Sequence, residues 1–349
     1  MASLRKDYYN VPFSHIYVEQ GVWEHPRTKR ILGKFPDAVK IGIKHYKDVF
    51  CRAKQNVALQ NEAPMLILAS KTGHLVYEGA PVCQDFGNKY FYYTSCMMNC
   101  LYSCDYCYLK GMYPSGNLVI FVNLEDIFAE VENILQKHEV YLCVSYDTDL
   151  MALEDLTGFV EDWLGFCKKH SGLKVEIRTK CGRTDLWDRL APEENVILAF
   201  TLSPEGIQQK YENRTSPLTD RIQCAAMAMR RGFSVRLCFD PILYCPDWRT
   251  QYQEMLYQVA ECIDMKQLYD VSIGSFRISQ DYLKKLRRVM PDSAIVQFPF
   301  ENDSGVYHYP EALMEEMEQT VAGRLQKWLP EEKIFGYYGK HTEKMKRKA

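Results

Sequence analysis

From residue 87 onward, apolar strand-like segments alternate with amphipathic helical segments. The six predicted strands are Lys89–Thr94, Tyr141–Asp147, Lys174–Thr179, Val196–Ser203, Ser234–Pro241 and Asp270–Arg277. The predicted helices between them are Leu124–Lys137, Leu156–His170, Thr184–Leu190, Asp220–Arg231 and Thr250–Asp264. Strands that alternate with helices form parallel sheets, and right-handed crossovers curl such a sheet. The sequence therefore predicts an α/β fold built on a partial (βα)6 barrel of the TIM type.

Two extensions flank the predicted barrel. Residues 1–86 are expected to form an N-terminal α/β region, residues 87–285 the barrel, and residues 286–349 a C-terminal, mainly helical extension. The N-terminal elements are predicted at His15–Glu19, Thr28–Gly33, Ala38–Ile43 and Met65–Ala69. The C-terminal elements are a helix and a closing strand, predicted at Glu311–Trp328 and Lys333–Gly339.

A cysteine-rich loop follows the first predicted barrel strand. It contains Cys96, Cys100, Cys104 and Cys107, and the last three are spaced C-x3-C-x2-C. Four thiolates normally hold an iron–sulfur cluster, so three would leave one iron of a [4Fe-4S] cluster open to another ligand. In barrels of this kind the functional site lies at the carboxyl ends of the strands, where this loop is expected.

Two other interpretations of the cysteines stay open at this point. All four thiols in the loop can form a structural zinc site, although the usual zinc ribbon separates two C-x2-C pairs by a longer loop. A disulfide framework is the other alternative. The total of thirteen cysteines is odd, which argues against complete pairing.

Composition narrows the class of protein. The 349 residues are 47% hydrophobic and carry a formal net charge of −2, which is typical of a globular protein and does not indicate a basic nucleic-acid binder. No apolar run reaches membrane-spanning length, and the first residues do not resemble a secretory signal. Scattered cysteines suit a reducing compartment, so a cytoplasmic protein without membrane contact is expected.

Four segments carry a more specific signal. They are C-L-Y-S-C-D-Y-C-Y-L at residues 100–109, Val119–Phe128, Ile177–Lys180, and Thr215–Pro217 with Arg221. The first resembles the radical S-adenosylmethionine (SAM) superfamily, and together they resemble the spore photoproduct lyase family across residues 87–285. The resemblance implies an enzyme that splits the methylene-bridged thymine dimer of ultraviolet-damaged DNA by means of a 5′-deoxyadenosyl radical.

The resemblance also implies roles for individual residues. Cys100, Cys104 and Cys107 would hold a [4Fe-4S] cluster whose open iron binds SAM. Residues expected to contact SAM are Tyr106, Thr148, Lys180 and Ser203. Tyr106 and Tyr108 would form a radical return path to SAM, and a flavodoxin or ferredoxin would deliver the electron. Cys96 has no role in this pattern.

The chain departs from the family at the group that returns a hydrogen atom to the product. Alignment on Asp149-Leu150 and Leu156-Thr157 puts Tyr146 where the family has a cysteine. Cys143 lies three residues upstream, on the opposite face of an extended strand. Tyr146 and Cys143 are therefore both candidate catalytic hydrogen donors.

A second departure concerns the substrate. The family has a basic, aromatic hairpin that extrudes the lesion from DNA, but the corresponding segment here, Phe298–Pro310, contains no Arg or Lys. Base extrusion costs a few kcal/mol that such contacts recover. Three hypotheses therefore remain: lesion repair, radical SAM chemistry on another nucleotide, small molecule or peptide, and a non-catalytic zinc or iron–sulfur protein.

Overall fold

The computed structural model describes residues 13–80 and 83–336. Its strands in chain order are β1 His15–Glu19, β2 Val39–Ile43, β3 Leu66–Ala69, β4 Val76–Glu78, β5 Phe91–Thr94, β6 Met97–Met98, β7 Ser103–Cys104, β8 Leu118–Phe121, β9 Val140–Cys143, β10 Leu173–Thr179, β11 Val196–Thr201, β12 Glu212–Asn213, β13 Ser234–Ile242, β14 Asp270–Ser275, β15 Arg277–Ser279, β16 Glu301–Asp303, β17 Val306–His308 and β18 Ile334–Phe335.

The α-helices are α1 Pro26–Gly33, α2 Lys47–Phe50, α3 Val57–Glu62, α4 Leu109–Met112, α5 Leu124–Leu135, α6 Glu154–Thr157, α7 Phe159–Cys167, α8 Glu205–Tyr211, α9 Leu218–Arg230, α10 Trp248–Cys262, α11 Gln280–Val289 and α12 Glu311–Leu325. Short 3-10 helices lie at Gln20–Val22, Met151–Leu153, Asp185–Asp188, Met265–Gln267 and Glu331–Lys333.

The six predicted barrel strands are confirmed. They form one sheet in the order β18-β14-β13-β11-β10-β9-β5-β4, in which neighbouring strands from β5 to β18 are parallel and β4 is antiparallel to β5. Among the described residues β4 and β18 are the edge strands, so the sheet stays open like a partial barrel. All six residues of β11 are buried, as expected for a parallel strand covered on both faces.

Three predicted boundaries differ from the structure. The second barrel strand ends at Cys143 rather than at Asp147, so residues 144–149 form a loop. The helix predicted over Leu156–His170 is divided into α6 and α7 by Gly158, whose φ of 67° lies in the left-handed region. The predicted helix Thr184–Leu190 is the 3-10 helix Asp185–Asp188.

A second sheet has the order β2-β1-β3-β8-β6. Its first three strands confirm the strands predicted within residues 1–86, while β6 and β8 come from the segment between the first and second barrel strands. Conversely, β4 precedes residue 87 and pairs with the barrel sheet. The two sheets therefore exchange strands across the boundary predicted at residue 86.

The C-terminal region contains a small antiparallel sheet, β15-β17-β16, in which β16 and β17 form a hairpin turning at Ser304 and Gly305. The predicted helix Glu311–Trp328 is observed as α12. The predicted closing strand is observed as β18, and residues 337–339 lie outside the described part of the chain. No helix within residues 13–80 and 83–336 is long and apolar enough to cross a bilayer.

The short helix α4, which ends the cysteine loop, packs closely on α11. A Cβ atom added at Gly111 would lie 2.4 Å from the backbone oxygen of Tyr282. We expect Gly111→Ala to lower the free energy of unfolding by about 1–3 kcal/mol in urea denaturation, because the α11 backbone must move. The exposed Gly165 of α7 has no neighbour within 4 Å and provides the control. Gly165→Ala is expected to raise stability by about 0.5–1 kcal/mol, and equal effects at both sites would contradict the close packing.

Candidate radical SAM site

The cysteine loop is attached to the carboxyl edge of the barrel sheet by main-chain contacts. Strand β7 pairs antiparallel with β12, so that Cys104 lies opposite Glu212. The Asp105 amide donates to the carbonyl of Tyr211 over 2.8 Å. Asn99 has a φ of 66° and its side-chain amide donates to the carbonyls of Ser115 and Asn117, each over 2.7 Å. These contacts fix both ends of the loop.

The three cysteines of the C-x3-C-x2-C pattern are free thiols in this loop. Burial raises the pKa of Cys104 to about 12, against the lowering effect of the Lys180 ammonium, and burial also raises the pKa of Cys100 and Cys107. A metal removes this penalty because its positive charge stabilises the coordinated thiolate. The donor set therefore fits iron, which iron–sulfur clusters attach to cysteine thiolates.

Cys96 lies apart from the other three thiols. It is fully buried in the core, burial raises its pKa to about 11, and the nearby cations are Lys71 and Arg27. Within residues 13–80 and 83–336, no three His, Cys, Asp or Glu side chains converge as ligands of a single metal ion.

The buried carboxylate of Glu212 joins the loop to two other elements. It accepts hydrogen bonds from the hydroxyl of Tyr106 and, over 2.8 Å, from that of Ser203, which lies just after β11. It also pairs with the guanidinium of Arg221 over 2.6 Å, and both side chains are fully buried. Burial raises the pKa of Glu212, but Arg221 and Lys180 outweigh it and bring the value down to about 2.

Lys180 directly follows β10 and lies beside Tyr106, and Thr148 lies in the loop after β9. The Lys180 ammonium lies 5.7 Å from the ring centre of Tyr106, and Glu212 and Cys104 raise its pKa against the effect of burial. The hydroxyl of Thr148 is buried and has no hydrogen-bond partner. A cation and an unsatisfied hydroxyl are groups that can bind the carboxylate and amino groups of SAM. The hydroxyls of Ser203 and Tyr106, the other two residues expected to contact SAM, already donate hydrogen bonds to Glu212.

Asp147 is a second buried carboxylate that connects several segments of the site, and the sequence did not single it out as a site residue. Its buried carboxylate accepts hydrogen bonds from Ser95, from Tyr113 over 2.8 Å and from Tyr108 over 3.3 Å. Burial raises its pKa, and the bonds from Ser95 and Tyr113 oppose this shift. Its position as the last residue of a predicted strand was the available signal. Tyr108 also donates to the carbonyl of Tyr146 over 2.7 Å, which ties the cysteine loop to the β9 loop.

The two candidate hydrogen donors occupy different surroundings. The Cys143 thiol is buried, lies 3.9 Å from the carboxylate of Glu176, and burial raises its pKa. Tyr146 lies beyond the strand, and its ring stacks on Tyr93 with centres 4.4 Å apart. Its hydroxyl lies 3.6 Å from the thiol of Cys83. Cys83 was not predicted as a site residue, because no sequence pattern relates it to a residue 63 positions later.

Comparison with known proteins identifies the fold and the family. The family model described as spore photoproduct lyase matches residues 88–338. This chain belongs to the spore photoproduct lyase family. The spore photoproduct lyase of Clostridium acetobutylicum is 24% identical over 212 residues, which are 58% of this chain and 62% of that one. The Bacillus subtilis enzyme is 19% identical over 287 residues, 79% of this chain and 80% of that one.

Solved spore photoproduct lyases share the whole architecture. A point mutant superposes with a TM-score of 0.79 over 93% of this chain and 100% of its own, at 16% identity. A double mutant with bound AdoMet and dinucleoside spore photoproduct superposes with a TM-score of 0.77 over 91% of this chain and 97% of its own, at 17% identity. The predicted partial barrel is thereby confirmed as the fold. The chain spans 62% of the Clostridium relative's length, so catalytic activity is a separate inference.

The Glu212–Arg221 pair provides a test of how the spore photoproduct lyase site is held together. We expect Glu212→Gln to lower the free energy of unfolding by about 3–5 kcal/mol, because removing one charge of a buried pair leaves the other uncompensated. Chemical denaturation at neutral pH measures this. The control is Asp188→Asn in the exposed Asp188–Arg231 pair, which should cost about 0–1 kcal/mol. A loss below 1 kcal/mol at Glu212 would contradict its structural role.

Proposed function

We propose that this protein is a radical SAM lyase that converts spore photoproduct, the methylene-bridged thymine dimer, back to two thymines. The observation that carries this proposal is the C-x3-C-x2-C loop, held by Glu212 at the carboxyl edge of a spore photoproduct lyase fold. The alternatives are radical chemistry on another nucleotide, small molecule or peptide, and a non-catalytic metal protein. The proposed cellular setting is the cytoplasm, with a flavodoxin or ferredoxin as electron donor.

Cys100, Cys104 and Cys107 would hold a [4Fe-4S] cluster, and Lys180 and Thr148 would bind SAM beside it. When bound and reduced, the cluster and SAM would supply a 5′-deoxyadenosyl radical for hydrogen abstraction from the lesion. The protein's part is to position the reactants and exclude water. Glu212 fixes the ring of Tyr106 and the Ser203 hydroxyl, and this positioning needs no movement during the reaction.

Tyr108 and Tyr146 form the side of the site on which we place the lesion. The two rings meet edge to face with centres 6.2 Å apart, and Tyr93 extends the aromatic surface. Aromatic faces stack on bases and contribute about 1–3 kcal/mol per base. Asp147 holds the Tyr108 hydroxyl and thereby orients its ring. Cys143 lies beside Tyr93 on the neighbouring strand and contacts Glu176, whereas the Tyr146 ring is itself part of the aromatic surface, so we favour Tyr146 of the two original donor candidates.

The hairpin of β16 and β17 lacks the basic residues that would bind DNA phosphates. Glu301 and Asp303 of β16 are exposed, so the hairpin that the fold provides is acidic at its outer strand. The exposed basic residues around it are Arg277 of β15, which pairs with β17 opposite His308, and Lys284, Lys285 and Arg288 of α11, which packs on β17. Because neither hairpin strand carries a Lys or Arg to recover the cost of extruding a base from duplex DNA, we propose that the substrate is a lesion in a dinucleoside or single strand.

The proposed cluster ligands can be tested one cysteine at a time. We expect Cys100→Ala, Cys104→Ala and Cys107→Ala each to lose most iron, sulfide and broad visible absorption after anaerobic reconstitution, because a cluster with two protein ligands is poorly held. Cys96→Ala tests the fourth thiol, and Cys262→Ala, at an exposed position, is the matched control. Both should retain iron. Stoichiometric zinc in the wild type, lost in Cys96→Ala, would establish the zinc alternative.

The proposed activity is tested with reduced, reconstituted protein, SAM and dinucleoside spore photoproduct under anaerobic conditions. We expect thymine product and 5′-deoxyadenosine to appear together, because the radical acts on the lesion. The same lesion in a single strand should be repaired at a comparable rate, and in duplex DNA more slowly, because the hairpin has no cation to recover the cost of extrusion. Deoxyadenosine without thymine product would move the substrate to another class.

A further inference from the structure

The inner face of the barrel sheet carries an ionic network that the proposed mechanism does not use. Arg236 of β13 is buried and pairs with Glu176 of β10 and with Asp270 of β14. Its guanidinium also donates to the hydroxyl of Tyr141 over 2.6 Å. Because both ends of this guanidinium are bonded and no side chain of the group is exposed, this part of the network holds the strands together.

Arg178 and Asp240 extend the network toward the carboxyl edge of the sheet, where it is open. Their side chains are 31% and 34% exposed, whereas that of Glu176 is 3% exposed. Arg178 donates through Nε to Glu176 over 3.2 Å and through Nη1 to Asp240 over 3.4 Å. Within residues 13–80 and 83–336, its Nη2 has no hydrogen-bond partner, and the Asp240 carboxylate accepts from Arg178 alone. A carboxylate offers about four acceptor positions, so both groups can still bind a ligand.

This pair lies beside the surface on which we place the lesion. The amide of Arg178 donates to the hydroxyl of Ser145 over 2.6 Å, and Tyr146 follows Ser145 in the chain. Lys180 lies two residues beyond Arg178, and side chains two positions apart along a strand share one face. Arg178 therefore adjoins both the loop that carries the aromatic surface and the end of β10 at which Lys180 would bind SAM.

Small residues leave room for a ligand at the pair. Strand β11 lies between β10 and β13, and it places Ala199 in register with Arg178. The Asp240 carboxylate lies over Gly274 of β14, where an added Cβ atom would be 3.2 Å from its Oδ1. The pair is thus flanked on these two strands by the smallest side chains.

The charges around the pair favour a neutral ligand over an anion. Three carboxylates, those of Glu176, Asp240 and Asp270, face the two guanidinium groups of Arg178 and Arg236. A phosphate at Arg178 would also meet the Asp240 carboxylate and be repelled by it. A neutral group with an oxygen acceptor beside an N–H donor satisfies both members of the pair. The imide edge of a thymine ring has this pattern, because its N3–H lies between two carbonyl oxygens.

We propose that Arg178 and Asp240 bind the imide edge of one thymine ring of the lesion and determine the specificity for it. This inference rests on the proposed function. A guanidinium N–H of Arg178 donates to a ring carbonyl, and the Asp240 carboxylate accepts from N3–H. Such contacts discriminate strongly, because a ligand that lacks the matching group leaves polar groups of the site unpaired. The ring is held by its edge, and its face is free to stack on the aromatic surface of Tyr108 and Tyr146.

The first test measures binding of dinucleoside spore photoproduct, which has no phosphate, to cluster-loaded protein with SAM by isothermal titration calorimetry. We expect Arg178→Met and Asp240→Ala each to raise the dissociation constant at least about tenfold, because each variant removes a charge-assisted hydrogen bond to the ring. The matched control is Arg249→Met in the exposed Arg249–Glu316 pair, which should leave binding unchanged.

A methylated ligand isolates the contact with Asp240 and needs no unfolding-prone variant for its first comparison. Methylation of both N3 atoms of the dinucleoside lesion should weaken binding to the wild type at least about tenfold. In Asp240→Ala the methylated and unmethylated lesions should bind equally, because the acceptor is gone and the shorter side chain leaves space for the methyl group. A methylation effect of the same size in the wild type and in Asp240→Ala would overturn the inference.

The phosphate-containing dinucleotide lesion tests the choice of ligand chemistry. Arg178→Met should weaken binding of the dinucleotide and of the dinucleoside by the same factor. A loss confined to the dinucleotide would show that Arg178 binds phosphate, and unchanged dissociation constants in Arg178→Met and Asp240→Ala would show that the pair is structural; either result would overturn the inference. A wild type that neither binds the dinucleoside lesion nor forms thymine product would instead overturn the proposed function.

Discussion

The buried ion pair between Glu212 and Arg221 is the interaction on which the site depends. The Glu212 carboxylate holds the Tyr106 hydroxyl of the cysteine loop and the Ser203 hydroxyl just after β11, and its charge is compensated by Arg221. An uncompensated buried charge is so costly that these groups can be buried only together. The strand β12, which begins with this residue, also pairs with the loop at Cys104. One ion pair thus couples the barrel to the three thiols.

Much of this architecture follows from local sequence signals. The βα alternation predicted all six barrel strands because a buried parallel strand is a short apolar run whatever its partners are. The C-x3-C-x2-C spacing is also a local pattern, because its three cysteines lie within eight residues, and it located the proposed cluster loop. The prediction was wrong where tertiary contacts decide the outcome. The second strand ends at Cys143 because residues 144–149 turn toward the cysteine loop, where Tyr108 binds the Tyr146 carbonyl.

The remaining site residues depend on long-range contacts. Glu212 meets Tyr106 across 106 positions, and Cys83 meets Tyr146 across 63. Neither pair has a sequence pattern. The chain departs from the family at the thiol position, which is occupied here by Tyr146, and at the hairpin, which is acidic. The first departure concerns the group that returns the hydrogen atom, whereas the exposed Glu301 and Asp303 change how the surrounding nucleic acid can be bound.

The most direct measurement is a crystal structure of the reconstituted protein with SAM and dinucleoside spore photoproduct. We predict a cluster on Cys100, Cys104 and Cys107 with SAM on its open iron, and the lesion against the aromatic surface of Tyr108 and Tyr146. A cluster that also binds Cys96, or a lesion that lies away from this aromatic surface, would contradict the proposed site.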